Sequence, residues 1–143
     1  MNYARILLAA AAATVVDGLY GFLVWGHVFQ GEFSRYPEIY REGYELPDIA
    51  LMMAAVFVAM CVASWIYMKG YEGGGLGEGL KFGIVMGLLL GAYFSGVNYG
   101  TMRIGKKLAL AYAAGEFGEW LVVGLTIGIV SGRAAAMRRT AGV

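Results

Sequence analysis

Leu108-Ala-Leu-Ala-Tyr-Ala-Ala-Gly-Glu116-Phe-Gly-Glu119-Trp-Leu-Val-Val-Gly-Leu-Thr-Ile-Gly-Ile-Val130 runs apolar from end to end except at Glu116 and Glu119. As a helix it covers about 34 Å, enough to cross the hydrocarbon core of a bilayer. A carboxylate near the centre of such a span costs about 2.5 to 3.5 kcal/mol on insertion scales, so two of them one turn apart mark a site.

Three more runs of comparable length lie upstream, at about Ile6 to Phe29, Ile49 to Met68 and Leu80 to Tyr99. The 143 residues are 59% hydrophobic and 15% charged, which with four such runs predicts an all-α polytopic membrane protein. The expected architecture is one domain over residues 1–143, with four transmembrane helices in an antiparallel bundle. The longest segment outside the spans, Gln30 to Asp48, is too short to fold alone. A formal net charge of +1 with no basic stripe gives nucleic acid nothing to hold. The single cysteine, Cys61, excludes an internal disulfide. Arg5 before an alanine-rich stretch has the look of a signal peptide, but the run continues to Phe29, so it is expected to be the first span, uncleaved.

With the amino terminus inside, the inner side would carry Arg5, Lys69, Lys81, Arg133, Arg138 and Arg139, against Arg35, Arg41, Arg103, Lys106 and Lys107 outside. That small excess, with acids Glu32, Glu38, Glu42, Glu45 and Asp48 in the first loop, predicts both termini in the cytoplasm. In the same loop Phe33, Tyr36, Tyr40 and Tyr44 recur at helical spacing, which predicts a short amphipathic helix at the interface. Pro47 then opens the second span, where its missing N–H does no harm.

The polar residues order by depth. Asp17 falls about 16 Å into span one, and Glu116 and Glu119 about 12 and 16 Å into the antiparallel span four. All three reach the midplane, and the two glutamates share a face that Tyr112 and Val123 extend. Gly115 and Gly118 thin the helix beside them. No lysine or arginine lies at that depth, so the three acids cannot all be ionised, and shared protons or a bound cation must neutralise them. The structural alternative is that protonated acids act as interhelical glue to Tyr93, Thr14 or Ser95. Asn98 is the further polar candidate, at the level of His27 and Asp48. The candidate binding residues are thus Asp17, Glu116, Glu119, Tyr93, Asn98 and Tyr112.

Gly75, Gly79, Gly83, Gly87 and Gly91 recur every fourth residue into span three, and Gly124, Gly128 and Gly132 do so in span four. Small residues at i, i+4 let helices approach closely in lipid, either within the chain or between copies, so these are packing residues, a glycine zipper. The glycine-rich turn Glu72 to Glu78 lacks the Gly-Lys-Ser/Thr ending of a phosphate loop. One histidine allows bis-His haem ligation only across a dimer, and Met52, Met60 and Met68 drift around their helix. No metal, cofactor or enzyme activity is expected, since no catalytic triad, ligand set or nucleotide motif is present.

The acid in span one, the Lys69-Gly-Tyr-Glu-Gly-Gly-Gly-Leu-Gly-Glu-Gly-Leu80 turn and the Lys-Leu-Ala-Leu-Ala start of span four resemble an uncharacterised family of small four-span bacterial integral membrane proteins. The resemblance implies a four-helix fold and a bacterial inner membrane, and no activity. By architecture alone the chain is also similar to small multidrug resistance transporters, which have four short spans, a carboxylate in the first, and work as dimers. It departs from them by its acidic pair in span four and its longer first loop. The expected function is a homodimeric proton- or cation-coupled carrier of a small cationic or amphiphilic substrate through the midplane carboxylates. The alternative is an accessory or scaffold subunit packing through its glycine stripes onto a larger membrane complex.

Overall fold

The computed structural model describes residues 3–40 and 43–140, with side chains to Gly132. Arg41 and Glu42 of the first loop, and the side chains of Arg133, Arg138 and Arg139, lie outside the described residues. The chain is all helical in its regular elements: α1 (Tyr3–Tyr20), a π-helical segment (Gly21–Val28), α2 (Gln30–Phe33), α3 (Leu46–Lys69), α4 (Gly75–Thr101) and α5 (Lys106–Thr140). Four helical stretches are long and apolar enough to cross a membrane, Tyr3–Val28, Leu46–Lys69, Gly75–Thr101 and Lys106–Gly132.

Neighbours in sequence run antiparallel. Gly79, Gly83, Gly87 and Gly91 of α4 meet Gly124 and Gly128, Trp120, Phe117 and Ala113 of α5 in descending order. A Cβ on Gly124 would stand 2.7 Å from Gly83 Cα, and one on Gly128 2.9 Å from Gly79 Cα, so the backbones touch where side chains would normally separate them. The small-residue stripe of α4 is therefore filled by α5 of the same chain. On its other side α5 packs against α1, whose Ala9, Ala10 and Ala13 are fully buried beside Val123 and Ile127. α3 adds Met60, Ala63 and Tyr67 to this core.

The turn between α3 and α4 depends on glycine at two points, Gly73 (φ 101°) and Gly75 (φ 55°), in the left-handed region that other residues avoid. Glu78 folds back from the first turns of α4 to accept the N–H groups of Glu72 (2.9 Å) and Gly74 (2.8 Å). At the same rim Arg5 donates to the carbonyl of Ser131 and lies 4.8 Å over the Tyr71 ring.

Two features depart from the sequence expectation. The first span is not α-helical throughout: eight residues, Gly21–Val28, form a π-helix, closed by an i→i−5 bond from Phe29 N–H to Val24 O (3.0 Å). The short helix expected in the first loop is present, as Gln30–Phe33, but it stops before the tyrosines. Pro37 disfavours a helical Tyr36, and the chain continues in turns. The rings of Phe33, Tyr36 and Tyr40 then fold inward onto Ile104, Leu108 and Tyr112 at the start of α5, while Tyr44 is exposed.

Candidate functional site

The seam between α1 and α5 collects the intramembrane polar groups. Asp17 on α1 is a near neighbour of both Glu119 and Glu116 of α5. All three acids are half-buried. Glu116 stands on the i, i+4, i+7, i+11 row that continues through Trp120, Val123 and Ile127, all buried, so its side chain points to the bundle interior.

Two aromatic residues complete the seam. Trp25 Nε1 donates to Glu119 Oε2 at 2.8 Å, and Tyr20 OH donates to the Gly115 carbonyl at 2.9 Å. Both fit only because α5 carries glycine opposite them. A Cβ on Gly115 would come within 2.6 Å of Trp25 Cζ2, and one on Gly118 within 2.5 Å of the Tyr20 hydroxyl. The gaps that the sequence places beside the acids are filled by these two side chains.

The π-helical segment aims Trp25. In unbroken α-helix, eight steps of about 100° would leave residue 25 roughly 80° round from Asp17. Turns closed by i→i−5 bonds use more residues per revolution, so each residue advances less and Trp25 returns to the face of Asp17. Neither Trp25 nor Tyr20 was among the sequence candidates. Tyr20, three residues from Asp17, was readable as sharing its face, whereas Trp25 was not, because helical periodicity gives no sign of a π turn.

An aromatic cap lies over the seam on the side of the first loop. Trp25 is 5.4 Å from the Phe29 ring, 6.0 Å from Phe33 and 5.9 Å from Tyr112. Tyr40 and Tyr112 share a hydrogen bond between their hydroxyls. Burial, helped by that bond, raises the Tyr40 phenol above its ordinary value, so it stays protonated. Tyr36 OH accepts the Gly105 N–H at 2.9 Å, and Lys107 pairs with Glu32. The Lys107 hydrogen bond, with Arg35 nearby, holds the Glu32 carboxyl below its ordinary value. The tie between loop and α5 is thus present at neutral pH and is given up as pH falls through that lowered value.

The other sequence candidates stand apart from the acids. Tyr93 is 61% exposed on α4, edge-on to Phe94, and Asn98 lies near the end of α4, where its carbonyl accepts the Met102 N–H. The hydroxyls of Thr14 and Ser95 go to backbone carbonyls, Ala10 O (2.8 Å) and Ala109 O (2.7 Å), so neither acts as glue to the carboxyls. His27 is exposed, its Nδ1 2.8 Å from Phe22 O. Among the described residues no group of three His, Cys, Asp or Glu side chains is placed to hold a metal ion.

No family model, curated protein or solved structure matches this chain. The functional reading accordingly rests on the seam itself.

Proposed function

We propose that this small polytopic membrane protein is a proton-coupled carrier in a bacterial inner membrane, both termini facing the cytoplasm, acting on a small cationic or amphiphilic substrate. The observation that supports the reading is the Asp17–Glu119 carboxyl pair held at the α1–α5 seam with the Trp25 indole on one of its oxygens. A shared proton satisfies that pair when it is empty. A cation arriving beside it replaces the proton, and the proton leaves on one side of the membrane. Glu116, one turn away, lines the same seam. Trp25 and Tyr20 offer ring faces for a cation as well as fixing the geometry.

A scaffold role through the glycine stripes is less well supported, since α5 covers the stripe of α4 and any partner would have to use a different face.

The test is proton release in proteoliposomes, with tetraphenylphosphonium as the cationic probe and a pH-sensitive dye trapped inside. The wild type should move protons against the probe, and Asp17→Asn or Glu119→Gln should reduce this at least about tenfold, while Lys107→Gln leaves it intact. Unchanged exchange in folded Glu119→Gln protein would rule the reading out.

A further inference from the structure

We propose that the cleft between the end of α3 and the first turns of α4 seats an anionic phospholipid, its phosphate on Lys81 and an acyl chain against Ile66, Phe82 and Val85. α4 turns its glycine face to α5, and Lys81, Phe82 and Val85 lie off that face. α3 packs on α1. The two spans leave a cleft of about 270 Å³ between them, walled by Ile66 and Tyr67 from one side and by Glu78, Lys81, Phe82 and Val85 from the other. Val85 is 62% exposed and Ile66 44%, on two helices long and apolar enough to span the bilayer. What lies against such a surface in a membrane is acyl chain.

The charge at the mouth decides which lipid. Glu78 is committed to the N–H groups of Glu72 and Gly74, and the Tyr67 hydroxyl donates to Gly75 O at 3.2 Å. Lys81 makes no ion pair or hydrogen bond among the described residues, and it lies about 9 Å along α4 from Gly75, within snorkelling distance of the headgroups. An occupant must therefore be anionic at the rim and apolar below it. Free phosphate meets the first condition and not the second; a zwitterionic lipid meets the second and leaves Lys81 without a net counter-charge. Lys69 supplies an internal control, since it lies 5.3 Å over the Trp65 ring and does not line the cleft.

The experiment is native mass spectrometry of the full chain released from detergent micelles doped with equal amounts of dioleoyl phosphatidylglycerol and dioleoyl phosphatidylcholine. Wild-type protein should retain the anionic lipid in about fivefold preference, as one lysine at an anionic surface gives. Lys81→Gln should lose the preference and Lys69→Gln keep it, both with unchanged helical circular dichroism. Inorganic phosphate should not displace the lipid. Equal retention of the two lipids, a preference that survives Lys81→Gln, or displacement by phosphate would each overturn the assignment.

Discussion

At the residue scale the site depends on what two glycines leave out. Gly115 and Gly118 are ordinary in composition, but each missing Cβ is the space that an aromatic group from the first span occupies. Gly115→Ala gains up to about 1 kcal/mol of helix propensity, yet its Cβ would collide with three ring carbons of Trp25. Overpacking of that kind costs about 1 to 3 kcal/mol, and the indole would also leave Glu119. The net expectation is destabilisation in detergent unfolding, and a double-mutant cycle identifies its cause. In a Trp25→Ala background the same Gly115→Ala change should cost nothing or stabilise. An equal penalty in both backgrounds would mean that Trp25 does not occupy that gap. Gly118→Ala should be milder, because it meets only the hydroxyl end of Tyr20, which can swing aside at the expense of one hydrogen bond to Gly115 O.

At the scale of elements, the α4–α5 pair separates glycines that pack from glycines that do not. A Cβ on Gly79 would lie 2.8 Å from Gly128 Cα, a backbone atom that can move only if the helices part. Gly96, on the same helix, has nothing within 4 Å. Gly79→Ala should therefore cost about 3 kcal/mol or more, whereas Gly96→Ala should stabilise by roughly 0.5 to 1 kcal/mol. Denaturation of the two variants in the same micelle decides it, and similar values for both would contradict the backbone contact. The comparison also shows how far the elements were legible. Length and hydropathy located all four membrane helices, because a span must be long and apolar whatever it packs against. Fourfold glycine spacing marked the face of α4 but could not say which helix lay on it. The π turns and the inward fold of Phe33, Tyr36 and Tyr40 escaped, since one breaks the 100° period on which pattern reading depends and the other follows from Pro37 and from contacts distant in sequence. Of the acidic seam, the carboxylates were visible as charges in an apolar run and Tyr20 could be placed on the face of Asp17, but Trp25 could not.

At the scale of the whole molecule, the helices are not held equally along their length. α4 and α5 are joined through glycines from Gly79 to Gly91, and the first span is tied to α5 from Arg5 at one rim to Trp25 near the other. α3 differs: its buried residues, Met60, Ala63, Ser64 and Tyr67, all fall in its second half. Its first half leaves Leu46, Leu51, Met52 and Phe57 exposed and touches α1 through Met53, whose flexible thioether lies against Gly18, next to Asp17. Local opening free energy follows buried contact, so this half of α3 should move while the other three spans hold. Its movement would uncover Asp17 from the side of the first loop, which is the access that a proton exchange at the seam requires. Spin labels at two cysteine pairs between α3 and α4, with Cys61 replaced by Ser, measure the difference. The Leu51–Tyr93 pair should give a broad distance distribution by pulsed electron paramagnetic resonance, and the Ile66–Val85 pair a narrow one. Tetraphenylphosphonium, bound at the seam, should change the first distribution and leave the second alone. Equal widths, or a response confined to the Ile66–Val85 pair, would place the moving part of the molecule elsewhere and leave the carboxyl seam without a route to solvent.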